Sequence, residues 1–264
     1  MATQAWGGGT GAWGTAGNWT SAVPLSNDTV LLPASTTQGV TSGQTTQNAV
    51  DPDLIWVQEG ANYDIGSSGS ELYISADLLK FEGGGKLFFK AGDTGVDLAI
   101  IKARAATSGI TSVTLNGTGT TDYDAIHIQR GIVALGSTMV GVTGAPIITL
   151  TVGGDSSVTV GAGSTYTNYT QYGGTVTNNS TFTNTRIWGG TFNQDTAVTG
   201  TLFDVYGGTA NILFGGTHPT INVYGGMVDF TRSASLKTIT TLNMFGGSYK
   251  TNQLVTITTL NDYR

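Results

Sequence analysis

Apolar and polar positions alternate along much of the chain, most regularly in its carboxy-terminal half. The short runs in front of Tyr206, Tyr224 and Phe245 each place an apolar residue at every second position. A period of two predicts β-strands, because successive side chains of a strand point to opposite faces of the sheet. We find no long stretch with a helical pattern, so the chain is predicted to be all-β.

A repeated motif, an aromatic residue followed by two glycines, punctuates these predicted strands. Successive copies recur at intervals of about 16 to 21 residues. This period is too short for a propeller blade or a pair of helices, and it suits one coil of a solenoid made of short strands and tight turns. The sequence therefore predicts a single-stranded parallel β-solenoid, or β-helix, with Gly-Gly at a corner of each rung. The five aromatic residues of the motif are Tyr172, Trp188, Tyr206, Tyr224 and Phe245.

Alternation also assigns faces to the strand that precedes each Gly-Gly. The residues one and three places before the aromatic share one side, and their apolar character predicts an inner stack formed by Ile187, Val205, Val223, Met244, Phe203, Ile221 and Leu242. The position between them is polar, as an outer face requires, and is occupied by Thr170, Arg186, Asp204, Asn222 and Asn243.

The same alternation places the five aromatic residues on the outer side, where they are predicted to form a ladder along one edge. Two interpretations stay open. The turn either folds the rings back over the corner as packing, or leaves them as an adhesive strip that contacts another subunit, a partner surface or glycans.

Three regions are distinguished along the chain. Residues 1–33 are rich in Gly and contain Trp6, Trp13 and Trp19, which are predicted to cap the open first rung or to anchor the protein in a partner. Residues 34–136 have longer strands and are predicted to form a broader, less regular part of the solenoid. Residues 137–264 contain the regular rungs. No Pro-rich or Ser-rich linker separates these regions, so one continuous domain is expected.

The amino-acid composition and net charge indicate which classes of partner are expected. The chain has 40 glycines, 11% charged residues and a formal net charge of −6, which disfavours a surface that neutralises nucleic-acid phosphates. No apolar run has the length that a membrane span requires, and the amino terminus lacks the features of a secretory signal. The absence of Cys excludes disulfides and thiolate metal sites. Neither nucleic acid nor a membrane is an expected partner.

Residues with catalytic or metal-binding potential are sparse. The two histidines, His127 and His218, lack metal-ligand spacing and are expected to be outer-face or turn residues. Two aspartate pairs deserve consideration, because some β-solenoids are polysaccharide lyases or glycosidases that use paired acids. However, the pairs Asp51/Asp53 and Asp122/Asp124 lie in turn-like sequence, where Asp accepts hydrogen bonds from its own backbone. We therefore expect no enzymatic activity, no catalytic or metal-binding residues and no cofactor.

Three stretches together resemble a family of virion proteins of phages from marine and other environments. Residues 14–33 are similar to the start of many secreted or virion β-helices, residues 56–75 resemble the first rung of that family, and residues 220–249 resemble its terminal rungs. The resemblance implies a phage structural component, such as a capsid decoration protein or head fibre. The family motifs include no catalytic residues, and none is transferred to this chain.

The favoured hypothesis is a virion protein on the capsid surface that contacts the major capsid protein or other virion proteins. Decoration usually follows capsid symmetry, so a homotrimer is expected, with the aromatic strip as a candidate interface. A tail-associated spike that binds a host receptor or host polysaccharide is the main alternative. A third hypothesis, the passenger of a bacterial adhesin, requires this sequence to be a fragment.

Overall fold

The computed structural model describes residues 2–104, 112–196 and 200–264. In these ranges the protein is a β-solenoid of about ten turns, in which strands of successive rungs pair in parallel. The only helical element in the described part of the chain is a short 3-10 turn, Ala16–Asn18. The predicted fold class is therefore confirmed.

The rungs contain short and long strands, because some strands continue around a corner while others stop at it. In chain order the strands are β1 Thr3–Ala5, β2 Thr29–Leu32, β3 Leu54–Val57, β4 Leu72–Phe81, β5 Leu87–Lys102, β6 Val113–Asn116, β7 Tyr123–Leu135, β8 Ile147–Val160, β9 Thr165–Gln171, β10 Thr175–Asn178, β11 Thr181–Ile187, β12 Thr191–Gln194, β13 Leu202–Val205, β14 Thr209–Ile212, β15 Gly216–Val223, β16 Met227–Asp229, β17 Lys237–Met244, β18 Ser248–Lys250 and β19 Val255–Asp262.

Strand register confirms the period predicted for the carboxy-terminal rungs. Ile187 pairs with Val205, Val205 with Val223, and Val223 with Met244. The first two of these steps are equal in length, and the third is slightly longer, as the spacing of the Gly-Gly motif requires. The longest of these carboxy-terminal rungs takes its additional residues in the loop 230–236, between β16 and β17, so its strands stay in register with those of its neighbours.

The predicted inner stack forms the core of these rungs. All seven of its members are buried, with at most 1% of their surface exposed. Parallel stacking places residues of similar size above one another, so each side chain packs against its equivalents in the rungs above and below. The interior also contains polar residues that the apolar pattern did not indicate, among them Gln171, Asn178 and Gln194.

Each Gly-Gly corner needs both glycines, for different reasons. The second glycine adopts a positive φ, +71° at Gly208 and +68° at Gly226, which costs an L-residue energy and costs glycine none. At the first position, a Cβ atom on Gly207 would lie 2.5 Å from the carbonyl oxygen of Trp188 in the preceding rung. The corner therefore combines a left-handed turn with close contact between rungs.

The amino-terminal rungs continue the same solenoid with more residues per turn. The register runs from Leu54 to Leu78, Leu98, Ala125 and Thr149 in unequal steps, most of them longer than any step of the carboxy-terminal rungs. Strand β7 ends at Leu135 and pairs with β8, so strand pairing is continuous across residue 136. The division into residues 1–33, 34–136 and 137–264 stays a prediction.

The three tryptophans of the first segment lie in the core at the start of the solenoid. Trp6, Trp13 and Trp19 have at most 6% of their surface exposed, and the rings of Trp6 and Trp13 each contact the ring of Trp19 edge to face. The indole N–H of Trp19 donates to the carbonyl oxygen of Trp13 at 2.7 Å. They thus fill the interior where the first rung, β1, begins.

Helices able to cross a membrane are absent from the part of the chain that the structure describes.

Candidate functional site

Five exposed or half-buried rings are stacked along one edge of the solenoid, and we call them the aromatic ladder. Successive centroids lie 4.1, 4.8, 4.9 and 4.9 Å apart, with interplanar angles of 7–9°. Four of the rings were predicted from the Gly-Gly motif, and the fifth was not. The members of the aromatic ladder are Trp188, Tyr206, Tyr224, Phe245 and Tyr263.

Backbone hydrogen bonds fix the spacing of the rings. The N–H groups of Tyr206, Tyr224 and Phe245 each donate at 2.8 Å to the carbonyl oxygen of an inner-stack residue in the preceding rung. Because successive rungs lie about 4.8 Å apart, the aromatic rings of neighbouring rungs are also about this far apart, which is close to the spacing of stacked aromatic rings. The rings therefore point outward and pack on one another, and are not folded back over the corner.

Stacking determines which parts of the aromatic rings are accessible to a partner. The flat face of each internal ring is covered by its neighbours, so mainly ring edges reach the surface. Trp188 and Tyr224 are nevertheless 49% and 42% exposed. Tyr172, the first aromatic of the motif, is 62% exposed and lies one rung before Trp188. Among the described residues Tyr172 does not stack on Trp188, so its predicted place in the ladder is wrong, and the continuous apolar strip of ring edges runs from Trp188 to Tyr263.

A second row, which we call the amide ladder, runs beside the aromatic ladder on the same outer face. It consists of Asp204, Asn222, Asn243 and Asn261, which are aligned by the register of β13, β15, β17 and β19. Each Asn donates from Nδ2 to the side-chain oxygen of the preceding member at 2.8 Å. The chain of bonds ends on Asp204, which can only accept.

The two ladders are joined at Asp204. The hydroxyl of Tyr206 donates to the second carboxylate oxygen of Asp204 at 3.2 Å. Partial burial, and then the neighbouring Asp204 charge, raise the pKa of the Tyr206 hydroxyl, which therefore remains a donor at neutral pH. Amide and aromatic rows thus form one hydrogen-bonded, repeating surface.

Tyr263 was missed by the sequence analysis because no Gly-Gly follows it. A weaker signal was present. The residues "TLNMF" that end at Phe245 are matched by "TLNDY" ending at Tyr263, with Asn261 at the position of Asn243. The strand sequence, and not only the corner, therefore identifies a rung.

The amino-terminal rungs have a row of their own, which the sequence analysis also missed. Strand register aligns five residues of successive rungs, from Thr29 on β2 to Ala125 on β7. The residue immediately before each of them in the sequence is an aspartate. These aspartates are unequally spaced along the chain, but each is followed by a strand with alternating apolar residues. We call this row the aspartate column: Asp28, Asp53, Asp77, Asp97 and Asp124.

Neighbouring carboxylates affect one another in this column. Desolvation, and then the charges of Asp51, Asp97 and Asp53, raise the pKa of Asp77. Desolvation and the charges of Asp124 and Asp51 likewise raise the pKa of Asp97. Asp28 differs, because backbone N–H groups of Ala2 and Leu25 donate to its carboxylate and lower its pKa.

The aspartate pairs considered for catalysis have structural contacts. Asp122 is buried, and its carboxylate accepts hydrogen bonds from the backbone N–H groups of Gly119 at 3.1 Å and Val140 at 3.0 Å. Asp124, in the same pair, accepts from Val142 N–H at 3.0 Å. The carboxylate of Asp51 accepts from the hydroxyl of Thr94 at 2.9 Å. These contacts connect loops of neighbouring rungs.

The expectation for the histidines is wrong for His218. His127 lies half-buried in β7, but His218 is fully buried because β15 begins at Gly216 and turns its side chain inward, in register with Ile239. Its Nε2 lies 3.2 Å from the carbonyl oxygen of Phe214. Burial lowers the pKa of His218, and the nearby buried Lys237 acts in the same direction.

Across residues 2–104, 112–196 and 200–264, no group of three or more His, Asp or Glu side chains is placed to bind a metal ion.

No family model, no curated protein and no solved structure matches the chain.

Proposed function

We propose that this protein is a non-enzymatic structural component of a phage virion, positioned on the capsid exterior as a decoration protein or head fibre. The phage assignment rests on the resemblance of residues 14–33, 56–75 and 220–249 to virion β-helices. The structural role rests on the outer surface of the regular rungs, where the aromatic ladder presents an apolar strip that follows the solenoid axis.

The strip is suited to association between proteins. Trp188, Tyr224 and Phe245 are 42–49% exposed although they are large apolar groups, and they lie in one line. Contiguous exposed apolar surface commonly marks an interface, and aromatic residues are enriched in the centres of interfaces. The rings are also rigid, since stacking and backbone pairing hold them, so little side-chain entropy is lost on binding.

A homotrimer is the assembly proposed for this interface, because proteins on capsid exteriors commonly follow the local symmetry of the shell. Three solenoids placed side by side would each contribute one aromatic ladder. The major capsid protein or another virion protein is the proposed partner of the assembled trimer.

A spike that binds host glycan remains the second candidate. Sugars stack on the open faces of aromatic rings, and the internal faces of the aromatic ladder are covered by neighbouring rings. Exposed Tyr172 and Tyr263, at or beyond its two ends, keep more accessible surface, 62% and 61%. The stacked geometry therefore favours protein association over glycan binding along the strip.

The interface is tested with the double variant Tyr206→Ser, Tyr224→Ser, using light scattering coupled to size-exclusion chromatography. We expect the wild-type chain to have three times its monomer mass of 27.2 kDa and the variant to be smaller. Tyr73→Ser, which removes a tyrosine of the amino-terminal rungs, is the matched control. An unchanged mass in the double variant, with an unchanged β-type circular dichroism spectrum, would contradict the interface.

The location is tested by quantitative mass spectrometry of purified virions. Copies in the hundreds and in a simple ratio to the major capsid protein are expected for a decoration protein. A handful of copies would instead place the protein in the tail and return attention to glycan binding.

A further inference from the structure

We propose that the outer face of the amino-terminal rungs is a surface on which a neighbouring copy of this chain docks, with the acidic edge of one copy beside the basic edge of the next. This inference rests on the homotrimer of the proposed function and locates a second part of its interface. The surface is formed by outward side chains of β2 to β7.

The outward side chains of these rungs are largely apolar. Leu54, Leu78 and Leu98 are aligned by strand register and are half-buried, while the residue that follows each of them is fully buried in the core. A second outward row lies two residues further along each strand and is also mostly apolar. We call the six apolar residues of the two rows the apolar face: Leu31, Leu54, Trp56, Leu78, Leu98 and Ile100.

The same rows become polar in the later rungs. From Leu98 the register continues through the next rungs to Thr149, Asn168 and Asn184, and Leu202 is the one later leucine in this row. The amide ladder belongs to the other row. Exposure to solvent therefore does not account for the leucines of the apolar face. Contiguous apolar surface of this kind commonly marks an interface.

Trp56 is held in a fixed position within the apolar face. Its indole N–H donates to a carboxylate oxygen of Glu82 at 2.8 Å, and the Nζ atom of Lys80 lies 4.5 Å from the centre of its ring. Lys80 is itself bound to Glu82 at 3.1 Å. A Trp side chain that is already ordered loses little entropy on binding, and Trp is a frequent anchor of protein interfaces.

Opposite charges border the apolar face. The aspartate column forms one edge, and Asp97 and Asp124 stand in the rungs of β5 and β7. The other edge, which we call the basic margin, consists of Lys102, Arg104 and Arg130, of which Lys102 and Arg130 are paired in register. Among the described residues, no Lys or Arg forms a salt bridge with the aspartate column.

The basic margin lies at the corner that carries the aromatic ladder in later rungs. Lys102 follows Ile101 and Trp188 follows Ile187, and the register connects Ile101 to Ile187 through the intervening rungs. The aspartate column lies at the opposite edge of the same face. A closed ring of three copies joins two different patches at every contact. The two edges supply two such patches.

Strand geometry prevents the two edges from neutralising each other within one copy. Asp97 and Lys102 stand at opposite ends of one strand segment, about 16 Å apart. A three-fold axis parallel to the solenoid axis keeps each rung at the same height in all copies. Asp97 of one copy then faces the rung that carries Lys102 of the next, and Asp124 faces the rung that carries Arg130. The charges are complementary between copies.

The area of the outer face also supports this arrangement. The aromatic ladder alone is roughly 20 Å long and one ring wide, far less than the ~800 Å² per partner that a standard interface buries. The whole outer face is about ten rungs high and about six residues wide, or roughly 50 by 20 Å. The aromatic ladder and the apolar face together therefore reach the area that a stable assembly needs.

The first test is the double variant Leu78→Asn, Leu98→Asn, measured by light scattering coupled to size-exclusion chromatography. Asn occupies the same outward row at Asn168 and Asn184, so the variant should keep the fold and its circular dichroism spectrum. We expect it to be monomeric at concentrations at which the wild type is trimeric. Leu236→Asn, at a leucine that is 73% exposed in the loop 230–236 and outside the face, is the matched control and should stay trimeric.

The second test reverses the charges at the two edges. Asp97→Lys and Lys102→Glu should each raise the midpoint concentration of trimer dissociation several-fold at low ionic strength, and the double reversal should restore it. Because the two positions are too far apart to pair within one copy, restoration reports a contact between copies. Asp97→Lys also removes repulsion within the aspartate column, so its effect on assembly does not come from unfolding.

The outcomes separate this proposal from the proposed function. A trimer that persists in Leu78→Asn, Leu98→Asn but is lost in Tyr206→Ser, Tyr224→Ser would refute the apolar face alone, and a double reversal that restores nothing would refute the pairing of the edges. Loss in the leucine variant with retention in the tyrosine variant would support the apolar face and contradict the aromatic ladder. A wild type that is monomeric throughout would overturn both.

Discussion

Replacing Asp77 by Asn should stabilise the protein at neutral pH, although the substitution removes a charge from the surface. Asp77 lies in the aspartate column between Asp53 and Asp97, and its pKa is raised by desolvation, by the charge of nearby Asp51 and by the charges of these two neighbours. Within the described residues, none of the column's members forms a salt bridge with Lys or Arg. The native fold therefore brings like charges together, whereas unfolding separates them.

The size of the effect follows from the rung spacing of about 4.8 Å. Two unit charges about 5 Å apart repel by ~0.8 kcal/mol in bulk water and by ~3 kcal/mol at an effective dielectric constant of about 20. Asp77 is exposed, so the value for water and screening by salt apply. With two neighbours in the column, we expect Asp77→Asn to add about 1 kcal/mol to the free energy of unfolding at low ionic strength.

The direction of the pH dependence is also determined. A group whose pKa is raised on folding favours the native state at low pH, and this contribution is lost as pH rises above the ordinary aspartate value of 3.8. The variant and the wild type should therefore have similar stability at acidic pH and differ at neutral pH. High salt should reduce the difference.

Urea unfolding followed by circular dichroism, at acidic and neutral pH, measures this difference. Asp155→Asn is the control, because Asp155 is an exposed aspartate of β8 outside the column. A variant that is less stable than the wild type at neutral pH, or a difference that does not shrink in acid, would refute repulsion within the column.

Two further predictions concern the interior and the corners. Gly208→Ala should lower the free energy of unfolding by about 2 kcal/mol or more, because an L-residue at φ +71° costs roughly 1–2 kcal/mol and its Cβ would lie 2.4 Å from the carbonyl oxygen of Gly190. Gly154→Ala is the control, because a Cβ atom there meets nothing within 4 Å. The same urea titration should show that the control is near neutral. His218→Gln should reduce the loss of stability between pH 7 and pH 5, since burial lowers the pKa of His218 and the native state resists its protonation below the ordinary value of 6.5. Thermal melts across that pH range measure the second effect, and an equal loss in His218→Gln and wild type would contradict it.

The carboxy-terminal rungs were predictable because each corner repeats the same chemistry. At each corner one glycine is required by close contact with the backbone of the preceding rung, and the next glycine is required by a positive φ. The alternation of apolar and polar residues in the preceding strand then shows which side chains face the core and which face outward. Ile187, Val205, Val223 and Met244 were placed in the core on this basis, and all four are fully buried.

The amino-terminal rungs lack such a marker. Their corners use different residues and their loops vary in length, so the aspartates that begin successive strands are separated by unequal intervals. Each Asp precedes an ordinary strand sequence, and only the register identifies Asp53, Asp77 and Asp97 as neighbours. Contacts across rungs of variable length do not leave a periodic signal.

The outer surface was predicted in part for a similar reason. Alternation correctly placed the rings and the asparagines on the outer side, but their interactions depend on the distance between rungs. Asn222 and Asn243 were predicted only as solvated residues, whereas their amides are bonded to one another. His218 was predicted wrongly because the Thr-His-Pro sequence around it looks like a turn. In the structure β15 already begins at Gly216, so His218 lies within a strand.

Because the strand register is fixed while the loops vary in length, the height of this protein, measured along the solenoid axis, can change only in steps of one rung. Extra residues in the loop 230–236 leave the strands on either side in register, so they widen one rung without lengthening the solenoid. Height changes only when a whole rung is gained or lost, in steps of about 4.8 Å. A lineage that duplicates rungs can thus change the length of the solenoid in uniform increments, and can vary loop sequence separately.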